Sequence, residues 1–420
     1  MIKKQLVIIG GGAAGMAAAV SAYKEGIKDI LILERNGYLG GVLRQCIHNG
    51  FGVHRFKEDL TGVEFAGKYA EMVDELEIPY LLNTFVIEMT ADRVITAVNP
   101  EQGLLKIQAE AVVLAMGCRE RTRGNLMIPG ARGAGVLTAG AAQRYLNING
   151  YLPGKKIVIL GSGDIGLIMA RQFVLEGAEV KALVEVMPYS GGLPRNMKQC
   201  IEDFDIPVYY NSTVSHINGK ERVSSVMVSQ VDEKRKPIPG TEFEIECDTL
   251  MISAGLIPEN ELTEQAGIEI SGGTKGAVVT EDLQTSAEGF FSCGNVLHVH
   301  DLVDFVAEEG EEAGRYAAQY ILQDKKEKGE QIRIVSGAGA GAAVPQLINK
   351  NTSAQKVAVM FRPRNRFRDV TVRAEMNGVE IARKKLVAVT PGEMIKLEIP
   401  AEKLAAGGDE IVVSLEGGAI

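Results

Sequence analysis

Apolar positions follow three different rhythms along this chain. The first is a short, wholly apolar run. Gln5–Ile9 has this form, as expected of a strand buried on both faces of a parallel sheet. A glycine turn follows, then a small-residue helix from Ala13 to about Glu25, then a second apolar strand at Asp29–Leu33. That sequence of elements is a βαβ unit. It recurs as strand Lys156–Leu160, turn Gly161–Gly166, helix Leu167–Glu176 and strand Glu179–Val184. In each copy 24 positions separate the first turn glycine from the acid that ends the second strand, Gly10 to Glu34 and Gly161 to Glu185.

The second rhythm is mixed. Strand-like segments are expected at Tyr80–Leu82, Phe85–Met89, Arg93–Val98 and Leu104–Gln108, with an apolar run at Ala111–Ala115. Val208–Tyr210, Val223–Gln230 and Thr249–Ala254 follow the second βαβ unit. Phe305–Gln323 has the period of an amphipathic helix, with a charged tail to Glu330. The third rhythm begins at Lys356, where the period becomes two: Val357–Phe361, Val370–Met376, Val379–Val387, Met394–Ile399 and Glu410–Leu415. Asn377-Gly378 marks a hairpin, and Ser336–Ala343 is a Gly/Ala-rich connector or a closely packed loop. The expected fold is α/β. Residues 1–120 and 255–330 form one Rossmann-like domain, 121–254 a second one inserted in it, and 331–420 a small β-sandwich-like module.

Composition narrows the function. Glycine is in excess, 48 of 420 residues against a usual ~7%, without a collagen period. A net charge of -9 argues against broad nucleic-acid binding. The charge is uneven, because residues 333–420 carry 13 Lys and Arg against 9 Asp and Glu. Five scattered cysteines without a CxxC exclude a zinc knuckle, a local Fe–S run and a CxxC redox disulfide, and fit a reducing cytoplasm. No apolar stretch is long enough for a membrane span, and the N-terminal segment lacks a convincing signal-peptide cleavage site.

The two glycine turns carry the chemistry. Gly10, Gly12, Ala13, Ala14 and Gly15 would let a pyrophosphate approach backbone N–H groups at a helix N-terminus, and Glu34 would accept from a ribose. Gly161, Gly163, Ile165 and Gly166 repeat the arrangement with Glu185. A carboxylate there favours NAD over NADP. Asp164 inside the second turn is either a like-charge neighbour of a diphosphate or a helix N-cap.

With these residues in place, the chain resembles the two-dinucleotide-binding-domain flavoproteins, the pyridine nucleotide–disulfide oxidoreductase family. There the first glycine motif binds FAD and the second NAD(P). Glu34-Arg35 with Gly40-Gly41, the Leu114–Arg119 segment, Ile252–Asn260 and Gly289–Asn295 resemble the family's other cofactor segments. The resemblance adds Arg35, Gly41, Val42, Leu43, Val86, Ala115, Met116, Gly117, Gly255, Gly294 and Asn295 as cofactor-binding candidates. Asn295 stands where the family usually has Asp, and an amide can still bond a ribityl hydroxyl. The redox cysteine pair is missing from both usual positions. Gly40–Gly52 and Cys293–Asp301 resemble a narrower branch without that pair. It includes hydrogen-cyanide-synthase and opine-oxidase subunits, and proteins accompanying anaerobic-type glycerol-3-phosphate dehydrogenases. Some of its members carry C-terminal Fe–S cysteines, where this chain has a cysteine-free β module.

His48, His298 and His300 fall in these two segments, with His54 just beyond the first, and the resemblance brings the segments together near the isoalloxazine. His48, His298 and Asp301 are candidates for positioning substrate or moving a proton; the alternative is hydrogen bonding as structural residues. Cys46 is either a thiol reactive beside the flavin or a buried inert one. His298, His300 and Asp301 make a weak metal pattern, and no metal is expected. Arg362, Arg364, Arg366 and Arg368 suggest a docking face for an acidic partner or a protected edge strand. The function these features imply is hydride transfer between NAD(H) and FAD, with delivery to an acceptor or partner subunit. Two alternatives stand beside it: a substrate-oxidising subunit with a vestigial NAD site, and a non-catalytic FAD-bound assembly protein. This reading allows a homo-oligomer.

Overall fold

The computed structural model describes residues 1–323, 329–404 and 407–419. It is α/β, and the chain separates into two compact units, Met1–Cys118 with Pro258–Ile420, and Arg119–Ile257. In the first unit β1 (Ile2–Ile9) leads into α1 (Ala13–Lys24) and then β2 (Ile30–Leu33). Strands β1 and β2 pair in parallel, Leu6 beside Ile30 and Ile9 beside Leu33. The segments Leu104–Gln108 and Ala111–Ala115 belong to one strand, Gly103–Leu114, which pairs with β1 on its other side. The sheet is completed by Tyr80–Leu81 at one edge, by Val94–Asn99 and Phe85–Met89 at the other, and by Phe290–Ser292 against Gly103–Leu114. Strands β1 and β2 end almost wholly buried, which is why their sequences are apolar rather than alternating.

The second unit repeats this core. Strand β3 (Lys156–Leu160), helix α2 (Asp164–Leu175) and strand β4 (Glu179–Val184) lie in a five-stranded parallel sheet with Val136–Thr138, Thr249–Ile252 and Val208–Tyr209. A three-stranded antiparallel sheet, Ser212–Gly219, Val223–Gln230 and Phe243–Glu246, is attached to it.

Helix α3 (Val303–Leu322) returns to the first unit and packs along α1. The close approach is made by glycine. A Cβ on Gly310 would stand 2.3 Å from the Ala14 carbonyl oxygen, and one on Gly314 2.1 Å from that of Ala18. The small-residue composition of α1 is the other half of that fit. The charged tail expected beyond Gln323 falls in part on residues 324–328, outside the described residues. Two further helices, Gly62–Glu75 and Ala139–Asn147, lie outside the elements expected from the sequence, although each buries one face. The first has a local signal, since Thr61 and Glu64 form a complete capping box.

The C-terminal strands have their own apolar cluster, from Ile332 to Leu415. Five strands pair in the order Leu347–Asn349, Gln331–Ser336, Glu410–Ala419, Phe367–Met376 and Val379–Val389. β5 (Lys356–Phe361) and β6 (Ile395–Pro400) form a separate antiparallel pair. Asn377 and Gly378 both have positive φ, as a two-residue hairpin turn requires. The Ser336–Ala343 segment is a tightly packed loop, and a Cβ on Gly341 would meet the Arg362 carbonyl oxygen at 2.7 Å. Among the described residues, no helix is long and apolar enough to cross a membrane.

Candidate nucleotide-binding sites

Parallel pairing brings the C-terminal ends of β1 and β2 side by side, so the glycine turn and Glu34 meet. Gly10 has φ +108°, and a Cβ there would stand 2.3 Å from the Ala115 carbonyl oxygen. Gly15 lies against the Gly10 carbonyl, where a Cβ would approach to 1.8 Å. Gly12, the N-cap of α1, differs from both: a Cβ added to it would meet nothing within 4 Å. The helix therefore starts on an open glycine, without a side-chain cap. Glu34 is buried, accepting from Gly11 N at 2.8 Å and from Asn36 N at 2.7 Å.

The other first-unit candidates surround this turn. Gly41, with φ +56°, faces Gly12, since its Cβ would lie 3.2 Å from Gly12 Cα. Gly40 N donates to Gly11 O at 2.8 Å. Gly294, with φ +71°, packs where its Cβ would reach Ala14 Cβ at 2.9 Å. Ala13, Leu43, Val86 and Ala115 are buried, Val42 and Arg35 are exposed, and Met116 packs against the core beside Gly117, whose φ is +75°. Asn295 is engaged by protein: its Oδ1 accepts from His300 N at 3.0 Å and its Nδ2 donates to Cys118 Sγ at 3.6 Å.

The second turn reproduces the first. Gly161 has φ +105°, with Ser253 O 2.2 Å from its would-be Cβ. A Cβ on Gly166 would stand 2.6 Å from the Gly161 carbonyl oxygen, and one on Gly163, the N-cap of α2, would again meet nothing within 4 Å. Glu185 is buried, accepting from Ser162 N at 2.9 Å and from Met187 N at 2.8 Å. The repeat extends beyond the candidate residues: Gly191-Gly192 follows Glu185 at the interval by which Gly40-Gly41 follows Glu34. Asp164 does not cap the helix. It is the first residue of α2, and its Oδ1 accepts from Leu193 N at 2.8 Å and Asn196 Nδ2 at 2.7 Å, tying down the Ser190–Leu193 loop. Ile165 is half exposed, and Gly255 has φ +99°.

Both cradles fit a dinucleotide. Their helices begin on glycines that project no atom into the space before the first turn, and neither has a side-chain cap. Uncapped N–H groups at a helix N-terminus suit a diphosphate.

The catalytic candidates divide. His298 and His300 are buried, and both present Nε2 to Glu309, at 2.7 and 3.1 Å. Gly294 N donates to the same carboxylate at 2.6 Å. Burial alone would raise the pKa of Glu309; the two imidazoles outweigh it and hold the group below the usual carboxylate range. Burial pushes His298 down. Glu309 is not among the sequence candidates. Its signal is only the amphipathic face of α3, where an acid at a buried position stands out. The donor atoms of these three residues lie within 4.8 Å of one another, close enough to hold a cation; Glu309 takes the place that Asp301 had in the weak metal pattern. Asp301 is exposed and accepts from Met394 N at 3.2 Å. His48 is half buried against Phe51, ring centroids 5.1 Å apart, and His54 stacks on Phe305 at 5.7 Å. Asp304, also outside the sequence candidates, accepts from Gly52, His54 and Arg55 N–H and so joins the two histidine segments. Cys46 is buried, its thiol 3.5 Å from Val42 O and pushed up to about 12 by burial, which speaks for packing rather than reactivity. The arginine series is not a single face. Arg362 is partly buried and donates to Val299 O and Gly392 O, and only Arg368 lies in a strand.

Residues 4–310 match the family described as pyridine nucleotide-disulphide oxidoreductase. The chain belongs to this family. Its enzymes are FAD-dependent NAD(P)H oxidoreductases that bind FAD and NAD(P)H. Among relatives of this family member, hydrogen cyanide synthase subunit HcnB of Pseudomonas protegens is 26% identical over 344 residues, 76% of this chain and 70% of that protein. An opine oxidase subunit of Agrobacterium tumefaciens is 24% identical over 340 residues, 76% of this chain and 66% of that protein. The thioredoxin reductase of T. acidophilum shares the fold, with a TM-score of 0.63 and 23% identity over 77% of this chain and 100% of that one.

Proposed function

We propose that this protein moves hydride between NAD(H) and FAD and passes the electrons to an acceptor or partner subunit without a redox disulfide. The observation that carries the reading is the duplicated cradle: two glycine turns, each opening at an uncapped helix and each backed by a buried glutamate. The first would hold the FAD diphosphate at Gly12 and Gly41, and the second the NAD diphosphate at Gly163. FAD, when bound, supplies the redox chemistry, exchanging hydride with the nicotinamide. The chain's own part is to orient the two nucleotides by backbone N–H groups, with Glu34 and Glu185 each shaping a turn and offering a lone pair to a ribose. Glu185 favours NAD over NADP, because a carboxylate repels a 2′-phosphate.

The cysteines support the absence of a disulfide step. The five are scattered along the chain without a CxxC, and four of them are buried. Cysteines of this scattered pattern also fit a cytoplasmic setting. A partner subunit is supported by the relatives, since HcnB and the opine oxidase protein are both named as subunits. The same relatives favour a second reading, in which a small organic substrate reduces the flavin and the NAD site is vestigial.

Anaerobic titration separates the two. NADH should bleach the flavin absorbance without new thiols appearing, and NADPH should do so less efficiently. Flavin that stays oxidised under excess NADH, but is bleached by an opine, proline or glycerol-3-phosphate, would establish the second reading instead.

A further inference from the structure

A cavity of about 330 Å³ lies between α3 and the outer face of the β5–β6 pair, at the small end of the range for ligand pockets. Its floor is one face of α3, with Phe305, Glu308, Glu309, Glu312 and Tyr316 spaced at helical intervals. Its roof comes from alternate positions of β5, Ala358 and Met360 among them, and from Lys396 of β6. The roof therefore lies beyond residue 310, where the family match ends.

The charges lining this cavity are almost all satisfied within the protein. Glu309 is taken by His298, His300 and Gly294 N. Glu308 pairs with Lys396 at 2.8 Å, and Glu281 accepts from Asn349 N at 2.9 Å. Lys356 pairs with Glu398 at 2.9 Å, and Lys384 donates to Lys396 O at 3.0 Å. Glu312 is the exception. Among the described residues its carboxylate has no hydrogen bond or ion pair. Lys396, the cation acting on it most strongly, is already held by Glu308, and Arg315 lies over the Tyr316 ring. Burial raises the pKa of Glu312, with Glu308 and Glu309 adding to the effect. Glu312 is half-buried in the cavity wall, and a cation brought in from solution would pair with a carboxylate that, among the described residues, no protein group holds. Phe305 and Tyr316 add apolar ring surface to the same lining.

We propose that this cavity binds a small molecule bearing a primary ammonium group, with Glu312 as counter-ion and Phe305 and Tyr316 against its carbon chain. One residue of its floor, Glu309, also accepts from Gly294 N beside the first cradle, but the proposal does not depend on the redox reading.

The test is isothermal titration of the flavin-loaded protein with n-butylamine and 1,4-diaminobutane, using n-butanol and butyrate as controls at constant ionic strength. Saturable binding of one amine per chain is expected, with no binding of the alcohol or the carboxylate. E312Q keeps the shape and removes the charge, and should bind the amine at least about tenfold more weakly. A358F leaves every charge in place but fills the cavity, and should abolish binding. Flavin content and melting temperature establish that each variant is folded, and if E312Q does not fold, A358F decides. Absence of saturable amine binding, equal affinity in either folded variant, or binding of butyrate in preference to the amine would overturn the proposal.

Discussion

The two glycine turns share a skeleton and differ in their surroundings. In the first, α1 is buried from Ala13 to Val20, pressed against α3 through Gly310 and Gly314. In the second, α2 buries one face and leaves Ile165 and Leu175 exposed. The turns differ too. Where the first has Gly11, the second has Ser162, whose hydroxyl donates to Glu185 at 2.5 Å and accepts from Gly191 N at 3.0 Å. The lesson is that one local motif can serve two kinds of site. On the proposed function, a turn embedded under a second helix would resist local opening, as a retained cofactor needs, and a turn whose helix buries only one face would open more easily, as an exchanging nucleotide needs.

The largest effects should come from alanine at the strained glycines. Gly10→Ala and Gly161→Ala each force a left-handed conformation, costing about 1–3 kcal/mol, and drive a methyl into a carbonyl oxygen. Both should lower the melting temperature, but only Gly10→Ala should empty the protein of flavin. Loss of flavin from Gly161→Ala as well would break the distinction between the turns.

Acid should strike the first turn's support next. Burial holds His298 below its ordinary pKa, so its contribution to stability is complete above about pH 6.5 and declines below it. Glu309 is also held low, so its contribution is complete above about pH 4.3 and is lost as pH falls towards its folded-state value. Melting temperatures measured from pH 8 down to about pH 2.5 should fall in two stages, one beginning near pH 6.5 and one below about pH 4.3, and His298→Asn should remove the upper one. A profile flat through pH 6.5 would count against the buried imidazole.

Alanine at the open glycines should act on ligands alone. Gly12→Ala and Gly163→Ala meet no protein atom, so stability should stay within about 0.5 kcal/mol. A methyl in the phosphate cradle should weaken flavin retention in the first and raise the KM for NADH in the second, by roughly tenfold for one lost charge-assisted contact. If neither variant changes either ligand, the cradles are not phosphate sites. The smallest effect is expected from Cys46→Ser. A thiol pushed up to about 12 and packed against Val42 O takes no part in electron transfer, so the flavin reduction rate should change less than about twofold. A larger loss would restore Cys46 as a reactive group.

Much of this is legible in the order of residues. Gly10, Gly15, Gly161 and Gly166 declare themselves because the turn leaves no room for a Cβ, at Gly15 and Gly166 against the turn itself and at Gly10 and Gly161 against the end of the neighbouring strand. Asp164 is legible as a residue but not in its role, because its partners Leu193 and Asn196 come from a loop that folds back over the turn. Arg362 looks like part of a surface stripe, since period-two spacing cannot show that the strand ends at Phe361. The chain's residue order was enough for the two βαβ cores, their glycine turns and their acids, because those depend on backbone sterics and on pairing between near neighbours. Only packing in three dimensions decided that Glu309 would gather His298, His300 and Gly294, and that Glu312 would line a cavity under strands beginning at Lys356. Burial and charge compensation are properties of neighbours in space, and no spacing along the chain records them.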